Sequence, residues 1–293
     1  MTVLVPDRLD DALAALDSDP ALTVLAGGTD LMVELNYGRR RPIDVLSLRR
    51  LAALRDWHVE RSAAGADTRE DTVVLGAAVT YTTLLGDELA RLLPALAQAA
   101  RTVGSPQIRN AGTIGGNLVT GSPAGDTLPV LVAQEATVEL ASARNGLRRL
   151  PVSDFLTGPK QTARRPDELL VAVRIPVRPG RSEFLKIGVR NAMVIAVANC
   201  ALVVDRERRA LRCALGSVGP VPIRDPAAEL WATTRLDWDG HAAPHPSVVE
   251  GFGRRMAAAS RPIDDHRATA AYRRHAVGVM ARRALERAWR PAA

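Results

Sequence analysis

Apolar positions along the chain switch between helical and strand periods, and glycines and prolines punctuate the switches. Near the N-terminus, Leu9, Ala12, Leu13 and Leu16 recur at helical spacing, with Asp7 placed to cap the helix. Residues 23–25 read as a short strand running into the doublet Gly27-Gly28, residues 31–37 as a helix, and 44–48 as another strand. That order predicts a small α/β unit over residues 1–59. Residues 60–71 are polar and predict a hairpin end or linker.

A second unit is expected over residues 60–177. Its pattern gives a strand at 73–78, helices at 80–93 and 96–103, and a helix passing into a strand at 128–140. A strand at 169–175 is then stopped by Pro176. The Pro/Arg/Gly run at 176–181 marks the next boundary. Within the third unit, 178–293, segments 183–188, 194–205 and 210–218 read as successive antiparallel strands. The last helix, from about residue 268 to 289, puts Val277, Met280, Ala281, Ala284, Leu285 and Ala288 on one stripe.

Composition narrows the function. With 47% apolar residues in 293, the chain is globular, and no apolar run approaches the about 20 residues of a membrane span. Residues 1–11 lack a basic region followed by an apolar one, so a cytoplasmic protein is expected. The net charge of +7 raises nucleic acid as a partner. However, the 39 basic residues are all arginines except Lys160 and Lys186, and they are scattered among alanines along the whole chain. That is a substitution bias, not a patch, and 3% aromatics supply no stacking platform, so no nucleic-acid role is expected.

Cys200 and Cys213 lie in apolar runs with no C-x-x-C and no neighbouring histidine cluster. The chain should therefore bind neither zinc nor an iron–sulfur cluster itself. His58, His241, His245, His266 and His275 show no metal spacing; His241 and His245 are four apart, but Gly240, Pro244 and Pro246 disfavour a helix there. No metal site is predicted. Dinucleotide-fold and P-loop glycine signatures are absent, as is the G-x-S-x-G elbow.

The candidate chemistry lies in two glycine doublets, Gly27-Gly28 and Gly115-Gly116. Each follows a strand-like or β-branched segment and is flanked by short polar residues: Thr29 and Asp30 in the first, Thr113 and Asn117 in the second. Bare glycines let successive amides turn inward as an anion nest, and a following helix N-terminus adds partial positive charge. Two nests suit the two phosphates of a dinucleotide; two tight turns without a ligand fit the same pattern. Asp126 reads either as an acceptor for a ligand hydroxyl or as a helix cap, and Lys186 either as a site residue or as a strand residue facing solvent.

Taken in order, Leu25-Ala26-Gly27-Gly28-Thr29-Asp30-Leu31, Leu75-Gly76-Ala77-Ala78-Val79-Thr80 and Val103-Gly104-Ser105-Pro106-Gln107-Ile108-Arg109-Asn110 form a distinctive series. Gly112-Thr113-Ile114-Gly115-Gly116-Asn117-Leu118, Ser122-Pro123-Ala124-Gly125-Asp126, Glu168-Leu169-Leu170, Lys186 and Leu215-Gly216-Ser217-Val218-Gly219-Pro220 continue it. Over nearly its full length the chain resembles the FAD-binding (medium) subunit of molybdenum hydroxylases of the xanthine and carbon monoxide dehydrogenase type.

The resemblance implies an α+β protein: a PCMH-type fold whose two subdomains clasp FAD, then a C-terminal domain with a three-stranded antiparallel sheet and helices. It implies FAD contacts at Leu25, Ala26, Gly27, Gly28, Thr29, Asp30, Leu31, Val103, Thr113, Gly116, Asn117, Asp126, Leu170 and Lys186. No residue here is expected to act on the organic substrate. The implied partners are an iron–sulfur small subunit and a molybdopterin large subunit, in a dimer of heterotrimers, with NAD or another compound as electron acceptor. A stand-alone flavin oxidoreductase of the same fold and a FAD-free scaffold subunit are the alternatives. Some relatives carry an acidic residue after the lysine, where this chain has Asn191-Ala192-Met193-Val194-Ile195-Ala196.

Overall fold

A computed structural model describes residues 2–39, 44–62, 70–240 and 242–289. His241 and residues 63–69 of the predicted linker lie outside the described residues. The chain first builds β1 (Thr2–Leu4), α1 (Leu9–Ser18), β2 (Thr23–Leu25), α2 (Leu31–Asn36) and β3 (Asp44–Ser47). The strands form a parallel sheet in the order β1-β3-β2. Ala12, Leu13 and Leu16 are the buried face of α1, as their spacing predicts. Asp7 does not cap this helix: Arg8 holds the cap position without a side-chain bond, and Asp7 faces Arg50 at 3.6 Å in solvent.

A second sheet is antiparallel throughout. β4 (Trp57–Glu60) and β5 (Thr72–Gly76) form a hairpin. Between β5 and the next strand come α3 (Tyr81–Leu84), α4 (Asp87–Leu92), α5 (Pro94–Thr102), α6 (Pro106–Ala111), α7 (Ile114–Thr120) and α8 (Thr127–Ala133). Then follow β6 (Thr137–Ser142), β7 (Gly146–Pro151), α9 (Val152–Phe155), the two-stranded hairpin of β8 (Leu156–Gly158) and β9 (Gln161–Thr162), and β10 (Leu169–Pro176). The sheet order is β4-β5-β10-β6-β7. The single helical region predicted at 80–93 is broken at Gly86, whose extended backbone starts α4. Central β10 is buried on both faces: Leu170, Val173 and Ile175 pack into the main core, and Leu169 and Val171 into the core shared with α1 and β3.

The third sheet contains β11 (Ser182–Ile187), β12 (Ala198–Asp205), β13 (Ala210–Gly216) and β14 (Ile223–Arg224), antiparallel in that order. The expected three strands are present, though the one read over 194–205 begins only at Ala198, and the two-residue β14 adds at the edge beside β13. Helices α10 (Pro226–Thr233), α11 (Pro246–Ala259) and α12 (Ala270–Trp289) cover one face, where Cys200, Leu202, Val204 and Cys213 meet the predicted α12 stripe. The other face, with Phe184, Ala201, Val203 and Ala214, joins the main core under α5 and α8. Two covered faces explain why 198–205 is apolar at nearly every position instead of alternating. Among the described residues no helix is long and apolar enough to cross a membrane.

Candidate functional site

The first glycine turn joins β2 to α2 and lies against the approach to the second. A Cβ on Gly27 would fall onto the carbonyl oxygen of Ala111, next to Gly112, so only glycine permits this approach of backbone to backbone. Gly28 has φ +73°, the left-handed region. The amides of Gly27, Gly28, Thr29 and Asp30 have no hydrogen-bond acceptor among the described residues. This turn therefore offers a row of unused donors at the head of α2.

The second turn is built differently. Thr113 caps α7, its hydroxyl accepting the Gly116 amide at 3.0 Å, and it forms an isolated bridge with Thr80. The amide of Ile114 donates to the Val79 carbonyl and that of Gly115 to the Ala77 carbonyl. Gly115 is bare because a Cβ would stand 2.6 Å from the Ala77 oxygen. The doublet thus packs α7 onto the segment after β5 and leaves no open amide nest, which corrects the expectation of two equivalent anion cradles. What it presents are side chains: the Thr113 hydroxyl, and Asn117, whose Oδ1 accepts from Thr127 Oγ1 at 2.5 Å.

Asp126 precedes α8 but makes no side-chain cap. Its Oδ2 takes the Lys186 ammonium at 2.5 Å with Thr102 Oγ1 at 3.2 Å, and its Oδ1 accepts from Asn199 Nδ2 at 3.2 Å. Lys186 also donates to the Thr102 carbonyl at 3.2 Å. Strand register explains the meeting. Lys186, Asn199 and Gly216 are successive partners across β11, β12 and β13, on the face that α5 and α8 cover. Lys186 and Asp126 are only 8% and 7% exposed, so the solvent-facing reading of Lys186 fails. Burial pushes the Asp126 carboxyl above its ordinary value, against the opposing pull of Lys186, Asn199 and Thr102.

Both turns open onto one cavity of about 660 Å³. Its walls include every sequence-predicted contact except Lys186: Leu25, Ala26, Gly27, Gly28, Thr29, Asp30, Leu31, Val103, Thr113, Gly116, Asn117, Asp126 and Leu170. Lys186 stands behind Asp126. Residues that motif reasoning missed also line it, notably Tyr81, Glu34, Lys160, Val194 and Ile195. At the rim, Lys160 of the β8–β9 hairpin donates to Glu34 of α2 at 2.7 Å, joining two sheet units across the opening. Its side chain is one of only two lysines in an arginine-rich chain, a signal the sequence did carry.

Arg190 folds the 191–196 segment onto itself through the carbonyls of Ala192 and Met193, bringing Val194 and Ile195 to the wall. Arg109, also near the site, binds the carbonyls of Val103 and Gly104 at 3.1 Å and is structural. The wall's acids are largely engaged: Asp126 by Lys186, Glu34 by Lys160, and Glu168 by Arg148.

This arrangement has relatives. The family model "FAD binding domain in molybdopterin dehydrogenase" matches residues 1–178, and "CO dehydrogenase flavoprotein C-terminal domain" matches residues 183–288. The chain belongs to the FAD-binding (medium) subunit family of the molybdenum hydroxylases. It is 31% identical over 288 residues to the xanthine dehydrogenase FAD-binding subunit of Escherichia coli O157:H7, covering 96% of this chain and 93% of that one. It is 32% identical over 291 residues to the carbon monoxide dehydrogenase medium chain of Afipia carboxidovorans, covering 97% and 94%. A structure of carbon monoxide dehydrogenase from Hydrogenophaga pseudoflava superposes with a TM-score of 0.84 at 29% identity, covering 99% of this chain and 97% of that one.

The cofactor of this medium-subunit family is FAD, and the residues present fit it. A row of free amides lies at one turn, polar side chains lie at the other, and a single cavity runs between them. The apolar walls at Leu25, Val103, Leu170 and Ile195 suit the faces of a flat ring.

Proposed function

We propose that this medium subunit is the electron-transfer component of a cytoplasmic molybdenum hydroxylase. It takes electrons from the iron–sulfur clusters of a small partner chain and passes them to NAD or another acceptor. A molybdopterin large chain completes the assembly, a dimer of heterotrimers. Bound FAD supplies a carrier that accepts electrons singly and releases them as a pair.

The protein's part is binding, orientation and exclusion of water. The amides of Gly27 to Asp30 would receive the diphosphate, with no cation needed at the turn. Asn117 and Thr113 would hold the same region from the opposite side. Asp126, fixed by Lys186 and Asn199, would accept from a ribityl or ring donor, and the lysine acts through it. Val194 and Ile195 would keep solvent from the ring where some relatives carry an acid. Leu25, Ala26, Leu31, Val103, Gly116 and Leu170 would shape the walls.

The observation carrying this reading is the single cavity joining an unfilled amide row to the buried Asp126–Lys186 pair. Purification of the chain tests it. A flavin spectrum, co-purification with an iron–sulfur chain and a molybdopterin chain, and electron exchange between the flavin and NAD are expected. A colourless protein that cannot be reconstituted with FAD would end the proposal. Flavin without partners would point to a stand-alone oxidoreductase instead.

A further inference from the structure

Tyr81 is the first residue of α3, directly after the Thr80 cap. Its amide donates to the Gly112 carbonyl at 3.2 Å, and its ring fills the space where a Cβ on Gly112 would come within 2.8 Å. The ring is thereby fixed between Ala111, which the first turn touches, and Thr113, which caps the second. The side chain lines the cavity and is 4% exposed. Yet its hydroxyl has no hydrogen-bond partner among the described residues.

The ring is sealed, but the hydroxyl oxygen is not fully buried and opens toward the cavity, where an oxygen of a bound molecule can meet it. The neutral hydroxyl has a proton free to donate. Burial, and after it the carboxylates of Asp126 and Asp30, push its ionisation well above the usual tyrosine range, so the proton stays on oxygen. Asp30 belongs to the diphosphate turn and Asp126 to the opposite end of the polar wall. The hydroxyl lies in the field of both.

We propose that the Tyr81 hydroxyl is a cofactor-binding donor, reaching a phosphate or ribityl oxygen of the dinucleotide. This rests on the FAD reading above. The bound oxygen would satisfy the one polar group of the ring that the protein leaves unmatched.

The test compares full-length wild type and Tyr81→Phe, stripped of flavin, by FAD titration through flavin fluorescence and by melting of the apo forms. Y81F should bind FAD about five- to tenfold more weakly, the effect of one lost hydrogen bond. Its apo form should melt at the same temperature or higher, since an unpaired hydroxyl has been removed. A purely structural tyrosine would lower apo melting and leave affinity unchanged, and that result overturns the proposal, as does equal affinity with equal melting. Titration with ADP locates the acceptor: a matching loss places it on the diphosphate, a loss with FAD alone on the ribityl chain. If the wild type itself takes up no FAD, the functional reading fails, a result distinct from failure of the tyrosine alone.

Discussion

Lys186→Met tests the polar heart of the site. The substitution keeps the aliphatic stem and removes the ammonium that meets Asp126 at 2.5 Å, where both side chains are more than nine-tenths buried. Removing one partner of a buried pair costs about 3–5 kcal/mol, a large share of the about 5–15 kcal/mol that holds a typical domain folded. Burial has already raised the Asp126 carboxyl, and the strongest opposing influence is Lys186, so the variant moves it further up.

A carboxyl raised in the folded state contributes stability below its unfolded value and loses it as pH climbs through the folded one. The K186M penalty should therefore be larger at pH 8 than at pH 5. Urea unfolding of the apo chain, followed by circular dichroism, measures both. The double variant K186M/D126N should recover most of the loss at pH 8, because no orphan carboxylate remains. If K186M costs under about 1 kcal/mol at both pH values, or the double variant is no better than the single, the energetic role assigned to this pair is wrong.

Gly27→Ala drives a Cβ into the Ala111 carbonyl; it should cost about 3 kcal/mol in thermal melts and abolish FAD uptake. Gly28→Ala meets only side chains and should cost about 1–2 kcal/mol for its positive φ. Burial pushes Asp265 up, but the amides of Arg267 and Ala268 and the Arg273 guanidinium outweigh it and hold the carboxyl at about 2. Its contribution is present above the unfolded value and lost as pH falls through about 2. Asp265→Asn should thus destabilise at pH 6, and the gap should close near pH 2 in acid-unfolding curves. Lys160→Gln breaks a partly exposed rim pair, so it should shift apo stability by under about 1 kcal/mol, vanishing in high salt.

The sequence made local structure readable and left much of the hydrogen bonding hidden. The α12 stripe and most of the strand read over 194–205 follow from apolar spacing, because each buries what its own pattern offers; the strand begins only at Ala198. Gly27-Gly28 and Gly115-Gly116 look alike as text, yet the second gives its amides to Ala77 and Thr113, and Ile114 just before it donates to Val79. Only the fold brings those acceptors close. Lys186 was ambiguous for a similar reason: alternation assigns it to one face of β11 but does not say that α5 and α8 cover that face. Tyr81 carried no motif, and its importance appears only once its hydroxyl is found without a partner.

The scarcity of lysine has a practical consequence. An amine-directed acylating reagent meets, besides the chain's N-terminus, only Lys160 and Lys186. The first stands at the cavity rim with a side chain 57% exposed; the second is almost sealed at 8%. Modification kinetics resolved by peptide mass would therefore report separately on the mouth of the cavity and on the layer behind its Asp126 wall, with almost no background from the rest of the molecule. A lysine-specific protease cuts only at unacylated lysine, so it releases the stretch 161–186 only where both escaped, and the longer products show which of the two has reacted.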